Sequence, residues 1–109
     1  MSSSEDSFEE VVASSRGYSL SHVRLDMASP AVAVFRARLN GPAGRPVWTR
    51  AWLSTEAGTL AESASPQMKA GDEVTLEVAL RGAVSPQFAY MRIESAPLQT
   101  EHVVVRKLP

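Results

Sequence analysis

The stretch Val74-Thr75-Leu76-Glu77-Val78-Ala79-Leu80 carries the clearest structural signal in the chain. Val74, Leu76, Val78 and Leu80 alternate with Thr75, Glu77 and Ala79. Successive side chains of a strand point to opposite faces, so this period of two predicts a half-buried β-strand. The same period recurs upstream. Val23, Leu25 and Met27 alternate with Arg24 and Asp26 in a run that begins at Tyr18 and stops at Ser29-Pro30, where proline lacks a donor and fixes its own φ. In the run Ala31 to Leu39, Ala33, Phe35, Ala37 and Leu39 share one face, and Arg36 and Arg38 share the other. Val47 to Ser54 and the shorter Thr59 to Ser63 are two further strands. Downstream, Gln87 to Ser95 sets Ala89, Met91 and Ile93 opposite Phe88, Tyr90 and Arg92, and Glu101 to Leu108 is the last strand.

Turn chemistry fills the gaps. Asn40 to Pro46, Ser65 to Asp72 and Gly82 to Pro86 are rich in Gly, Pro, Asn and Asp and read as loops. Thr55 to Gly58 reads as a tight turn, with Gly58 available for positive φ. Seven short strands without a helix predict an all-β fold: an antiparallel seven-stranded β-sandwich, with an up-and-down barrel as the other arrangement. The proline-bearing loops and the odd strand count favour the sandwich.

The chain has 109 residues, 11 Lys+Arg, 12 Asp+Glu and no Cys, with 44% hydrophobic residues. That length suits one domain able to build a core without metal or disulfide staples. The missing Cys excludes disulfides, zinc–thiolate sites and thiol nucleophiles. A net charge of −1 argues against a general phosphate-binding surface, so no nucleic-acid partner is expected. The longest apolar run is Ala31 to Phe35, far short of a membrane-spanning helix, so no membrane association is expected. Met1 to Ser7 has neither a positive n-region nor an apolar h-region. With no Cys, the expected location is the cytoplasm, or outside the cell if the chain is a domain excised from a larger secreted protein.

The near-neutral total hides an asymmetry. Residues 1–15 carry four acidic side chains and no basic one, whereas residues 16–109 carry 11 basic and 8 acidic. Residues 1–16 are Ser-rich, with Phe8, Val11 and Val12 as the only sizeable apolar side chains. Such a segment buries little surface against its ordering entropy, which predicts a disordered, flexible acidic tail ahead of a domain spanning 17–109. The other reading is a short helix, Glu5 to Ala13, docking those three side chains.

The stretch Ala33 to Arg81 resembles the FxLYD-type immunoglobulin-like domain of bacteria. The matching pieces are Phe35 to Leu39, the loop Asn40-Gly41, Leu53 to Gly58, and Lys69-Ala70-Gly71-Asp72 leading into the alternating strand. Ser54-Thr55 stand where an aromatic–Asp pair is expected. The resemblance covers about half the chain and implies an immunoglobulin-like sandwich. It also implies a binding or spacer role, usually outside the cell, and carries over no catalytic residues.

The residues themselves offer little to catalysis. His22 and His102 are the only histidines and lie far apart in sequence, so no metal and no cofactor is expected. No G-x-S-x-G element is present. Asp72-Glu73 and Glu9-Glu10 are adjacent pairs that point apart on a strand or loop. Asn40 to Pro46 precedes a strand, unlike a phosphate cradle, which opens a helix. The chain is expected not to be an enzyme.

Two surfaces stand out. Trp48, Arg50 and Trp52 share one strand face, and Val47, Thr49, Ala51 and Leu53 share the other. Either face suits a core. Buried indoles with Arg50 reaching past them to the rim is one reading. An outer ladder of indoles and guanidinium, joined by Arg36 and Arg38 if their strands pair, is the other. Such a ladder fits a protein partner, or a carbohydrate or other ligand stacked on the rings. Val103-Val104-Val105 is either an ordinary core strand or an edge strand, guarded by Arg106 and Lys107, through which the chain forms a homodimer. The expected function is a non-enzymatic protein-interaction module or adaptor, self-associating through Val103 to Val105. It would contact its partner through Arg36, Arg38, Trp48, Arg50 and Trp52. The acidic tail is expected to compete for that basic face.

Overall fold

A computed structural model describes residues 8–14, 16–80, 84–95 and 99–108, and among them every regular element is a β-strand. The strands are β1 (Glu9–Val12), β2 (Ser19–Asp26), β3 (Val32–Asn40), β4 (Val47–Thr55), β5 (Gly58–Ala64), β6 (Glu73–Ala79), β7 (Phe88–Ser95) and β8 (Gln99–Lys107). They form two antiparallel sheets, one in the order β1-β8-β7-β4-β5 and the other in the order β2-β3-β6. The chain changes sheet after β1, β3, β5 and β6. Among the described residues no helix is long and apolar enough to cross a membrane.

The alternation read from the sequence becomes the packing pattern. Ala33, Phe35, Ala37 and Leu39 of β3 and Val74, Leu76 and Val78 of β6 are buried, whereas Arg36, Arg38, Thr75 and Glu77 are exposed. Facing them, Val47, Ala51 and Leu53 of β4 and Ala89, Met91 and Ile93 of β7 are buried. These side chains form one cluster that spans both sheets, which is the layering of a β-sandwich. Removing a large member such as Phe35 leaves a cavity that costs about 3–5 kcal/mol.

Two glycines answer geometric needs. A Cβ on Gly41 would lie 2.3 Å from the Tyr18 ring, so only glycine lets the β3–β4 loop lie against that buried aromatic. Gly71, at φ 95°, turns the chain into β6. There its amide donates to the Leu39 carbonyl at 2.6 Å, the Asp72 carboxylate accepts from the Lys69 amide, and Leu39 donates back to the Asp72 carbonyl at 2.9 Å.

Eight strands replace the expected seven, and the added one is β1. The flexible-tail expectation for residues 1–16 fails for Glu9 to Val12, as does the helical alternative. Residues 1–7 and 15 lie outside the described residues. Composition misled because it weighs buried apolar surface, and all four side chains of β1 are exposed. The strand is held by its ladder with β8, in which Glu9, Glu10 and Val12 face Val105, Val104 and Val103. Phe8 packs on the core beside it. A side-chain clasp completes the attachment: the buried His102 ring meets the Glu10 carboxylate through Nε2 at 2.7 Å. Its Nδ1 accepts from the Leu20 amide at 3.1 Å, so Nε2 carries the proton donated to Glu10. One histidine thereby ties β1, β8 and β2 together.

β8 is consequently not an edge. Val103 to Val105 pair with β1 on one side and with β7 on the other, so this segment offers no free ladder for a second copy. The chain beyond β1 closes with Arg16, whose guanidinium reaches Glu101 at 2.6 Å. Glu101 is fully buried and also accepts from the Ser95 hydroxyl. A buried carboxylate needs such partners, since desolvation otherwise outweighs its Coulombic gain.

Candidate functional site

Burial of Val47, Thr49, Ala51 and Leu53 sends Trp48, Arg50 and Trp52 to the outer face of the five-stranded sheet. Burial of Ala89, Met91 and Ile93 does the same for Phe88, Tyr90, Arg92 and Glu94 on β7. The register then sets Trp48 against Glu94, Arg50 against Arg92, Trp52 against Tyr90 and Ser54 against Phe88. Four successive pairs thus run along the centre of one sheet.

The pairs are knitted together. Trp52 and Tyr90 stack with centroids 4.9 Å apart and planes 6° from parallel, and Phe88 tilts against Tyr90 at 6.4 Å. The Arg92 guanidinium lies over the Trp52 ring, 5.2 Å from its centroid. Glu94 is the hub. Its Oε1 accepts from the Trp48 indole at 2.7 Å and lies 3.5 Å from Arg50, while Oε2 lies 2.6 Å from Arg92. Arg50 also meets Glu62 of β5 at 3.5 Å. Like charges directly opposite weaken a sheet, and here the nearly buried Glu94 carboxylate sits between both arginines and offsets their repulsion, with Glu62 beside Arg50 supplying the second negative charge. The Nε atoms of both arginines are buried and have no hydrogen-bond partner.

No protein-family model matches this chain, and no curated protein does. What the site does therefore rests on its own geometry.

The face joins Trp48, Arg50 and Trp52 as the outer-ladder reading anticipated, but it does not include Arg36 and Arg38. β3 pairs with β2 and β6, and β4 pairs with β5 and β7, because the Asn40–Pro46 loop carries the chain from one layer to the other. Arg36 and Arg38 therefore stand on the opposite side of the molecule. The acidic segment is also partly committed: Glu10 is bound to His102, and Glu5 and Asp6 lie outside the described residues.

Reading β4 alone missed Tyr90, Arg92 and Glu94. The alternation of β7 was visible in the sequence and set Tyr90 and Arg92 on the face opposite Ala89, Met91 and Ile93. What was not visible was that β7 lies next to β4. Among the described residues no cluster of three or more His, Asp or Glu side chains is placed to hold a metal ion.

Proposed function

We propose that this chain is a non-enzymatic, immunoglobulin-like interaction module that docks a protein partner on the outer face of its five-stranded sheet. With β1 set aside, seven strands divide three and four between two sheets with repeated crossings, which supports the immunoglobulin-like reading. One observation carries the functional reading: Trp48, Trp52, Phe88 and Tyr90 are half-buried and preordered around Arg50 and Arg92. Aromatic and arginine side chains concentrate at the centres of protein interfaces, and rigid ones lose little entropy on docking.

The same geometry speaks against a carbohydrate platform. A sugar stacked on Trp52 would need a free face of that ring, whereas Trp52 is stacked by Tyr90 and overlain by Arg92. The test is site-specific photo-crosslinking in the native cell, with a photoreactive residue in place of Glu62 at the rim of this face or of Thr75 on the other sheet. A single adduct from position 62 that disappears with Trp52→Ala, and none from position 75, is the expected result. Equal labelling from both faces defeats the proposal. So does a saturable shift of tryptophan emission by oligosaccharides, which restores the carbohydrate reading.

A further inference from the structure

We propose that the outer face of the three-stranded sheet holds a second site, separate from the aromatic face, that binds a multiply charged oxyanion of the phosphate class. The starting point is uncompensated charge. The β2–β3 register sets Arg24 directly opposite Arg36, and Arg38 follows two residues along the same face of β3. On the other side of β3, Arg36 faces the uncharged Thr75 and Arg38 faces Glu73. Among the described residues, none of these three guanidinium groups takes part in an ion pair or a side-chain hydrogen bond, Glu73 included. All three are exposed.

The three arginines line an open cleft of about 400 Å³ together with His22, Glu73 and Thr75. His22 stands at the register shift between Ser21 and Arg24 and adopts φ 54°, a left-handed conformation unusual for a residue with a side chain. Such local strain gathers at binding sites.

Opposed arginines weaken a ladder. On the five-stranded sheet an internal carboxylate offsets that opposition. Here Glu73 is the one carboxylate lining the cleft, and it stands opposite Arg38 without an ion pair to any of the three arginines, so the anion that bridges Arg24 and Arg36 comes from outside. Guanidinium forks match tetrahedral oxyanions with paired, charge-assisted hydrogen bonds. Three guanidinium forks against one carboxylate leave excess positive charge, which suits a doubly charged group better than a single carboxylate. Protection of a sheet edge does not account for the arrangement. Edge charges repel incoming strands, but Arg36 and Arg38 sit on the central strand β3.

Isothermal titration of the full chain with inorganic pyrophosphate, at matched ionic strength in chloride, tests the site. Phenyl phosphate in a parallel arm separates a phosphate ester from a free phosphate, the tighter binder naming the source. Saturable binding is expected, weakened at least about tenfold by Arg36→Gln or Arg24→Gln, as suits the loss of a charge-assisted bond. Arg45→Gln, in the β3–β4 loop and outside the cleft, should bind as the parent does. Because Arg36→Gln and Arg24→Gln relieve repulsion, their melting temperatures without ligand should equal or exceed the parent's, so lost binding will not reflect unfolding. No saturation by either anion, or binding that both arginine variants leave unchanged, overturns the proposal.

Discussion

Two pairs of arginines stand directly opposite each other across antiparallel strands, one on each outer face of the sandwich: Arg50 with Arg92, and Arg24 with Arg36. The backbone does the same thing in both places, yet the surroundings differ. Glu94, almost buried, bridges the first pair and also holds the Trp48 indole, while Trp52 lies under Arg92. The second pair has Thr75 where a carboxylate would offset its repulsion. The first face is complete in itself and presents ordered aromatic surface. The second is an electrostatic half-site. A positive charge on a sheet surface thus has no fixed meaning: its carboxylate neighbours decide whether it serves the fold or awaits a ligand.

Three substitutions break or sharpen this contrast. The largest effect is expected from Glu94→Ala, which turns the first pair into a likeness of the second. It leaves two partly buried guanidinium groups opposed and frees the Trp48 indole, which should lower stability by about 3 kcal/mol in urea unfolding. A change below 1 kcal/mol in the same measurement would show that Glu94 is not the hub. Next, Trp52→Ala removes the Tyr90 stack and the ring beneath Arg92. A loss of about 1–2 kcal/mol is expected, with the core otherwise intact by near-ultraviolet dichroism. The smallest effect belongs to Thr75→Glu, which places a carboxylate opposite Arg36 and makes the second pair resemble the first. Stability without added anions should rise by about 0.5 kcal/mol at low salt, the gain fading as salt is raised. Pyrophosphate binding should fall at the same time. A gain in stability with binding unchanged would separate the repulsion from the anion site.

Much of this was legible in the chain. Alternation placed the seven domain strands and divided the side chains of β3, β6 and β7 between two faces, because side-chain direction on a strand is a local property of the backbone. The Thr55–Gly58 turn was legible for the same reason, and Gly58 does take positive φ, at 133°. β1 was not legible. Its support is a ladder to Val103 through Val105 and a bond from Glu10 to His102, 92 positions away, and no window of sequence contains both ends. The choice between indoles in or out was likewise open, since Val47, Ala51 and Leu53 on one side and Trp48 and Trp52 on the other are both apolar enough for a core. The facing layer settled it: β2, β3 and β6 pack against the smaller set, and the indoles are left outside with Tyr90 and Arg92 for company.

The sequence by itself determined an all-β chain, its strands and their two-faced character, because period two and turn chemistry act within a few residues. Tertiary structure alone decided which strands are neighbours. That choice separated Arg36 and Arg38 from the tryptophans, covered Val103 to Val105 with β1, and gave one arginine pair a bridging glutamate and the other none. Strand order depends on how two sheets close over a shared core. That is a sum over long-range contacts which no local pattern encodes.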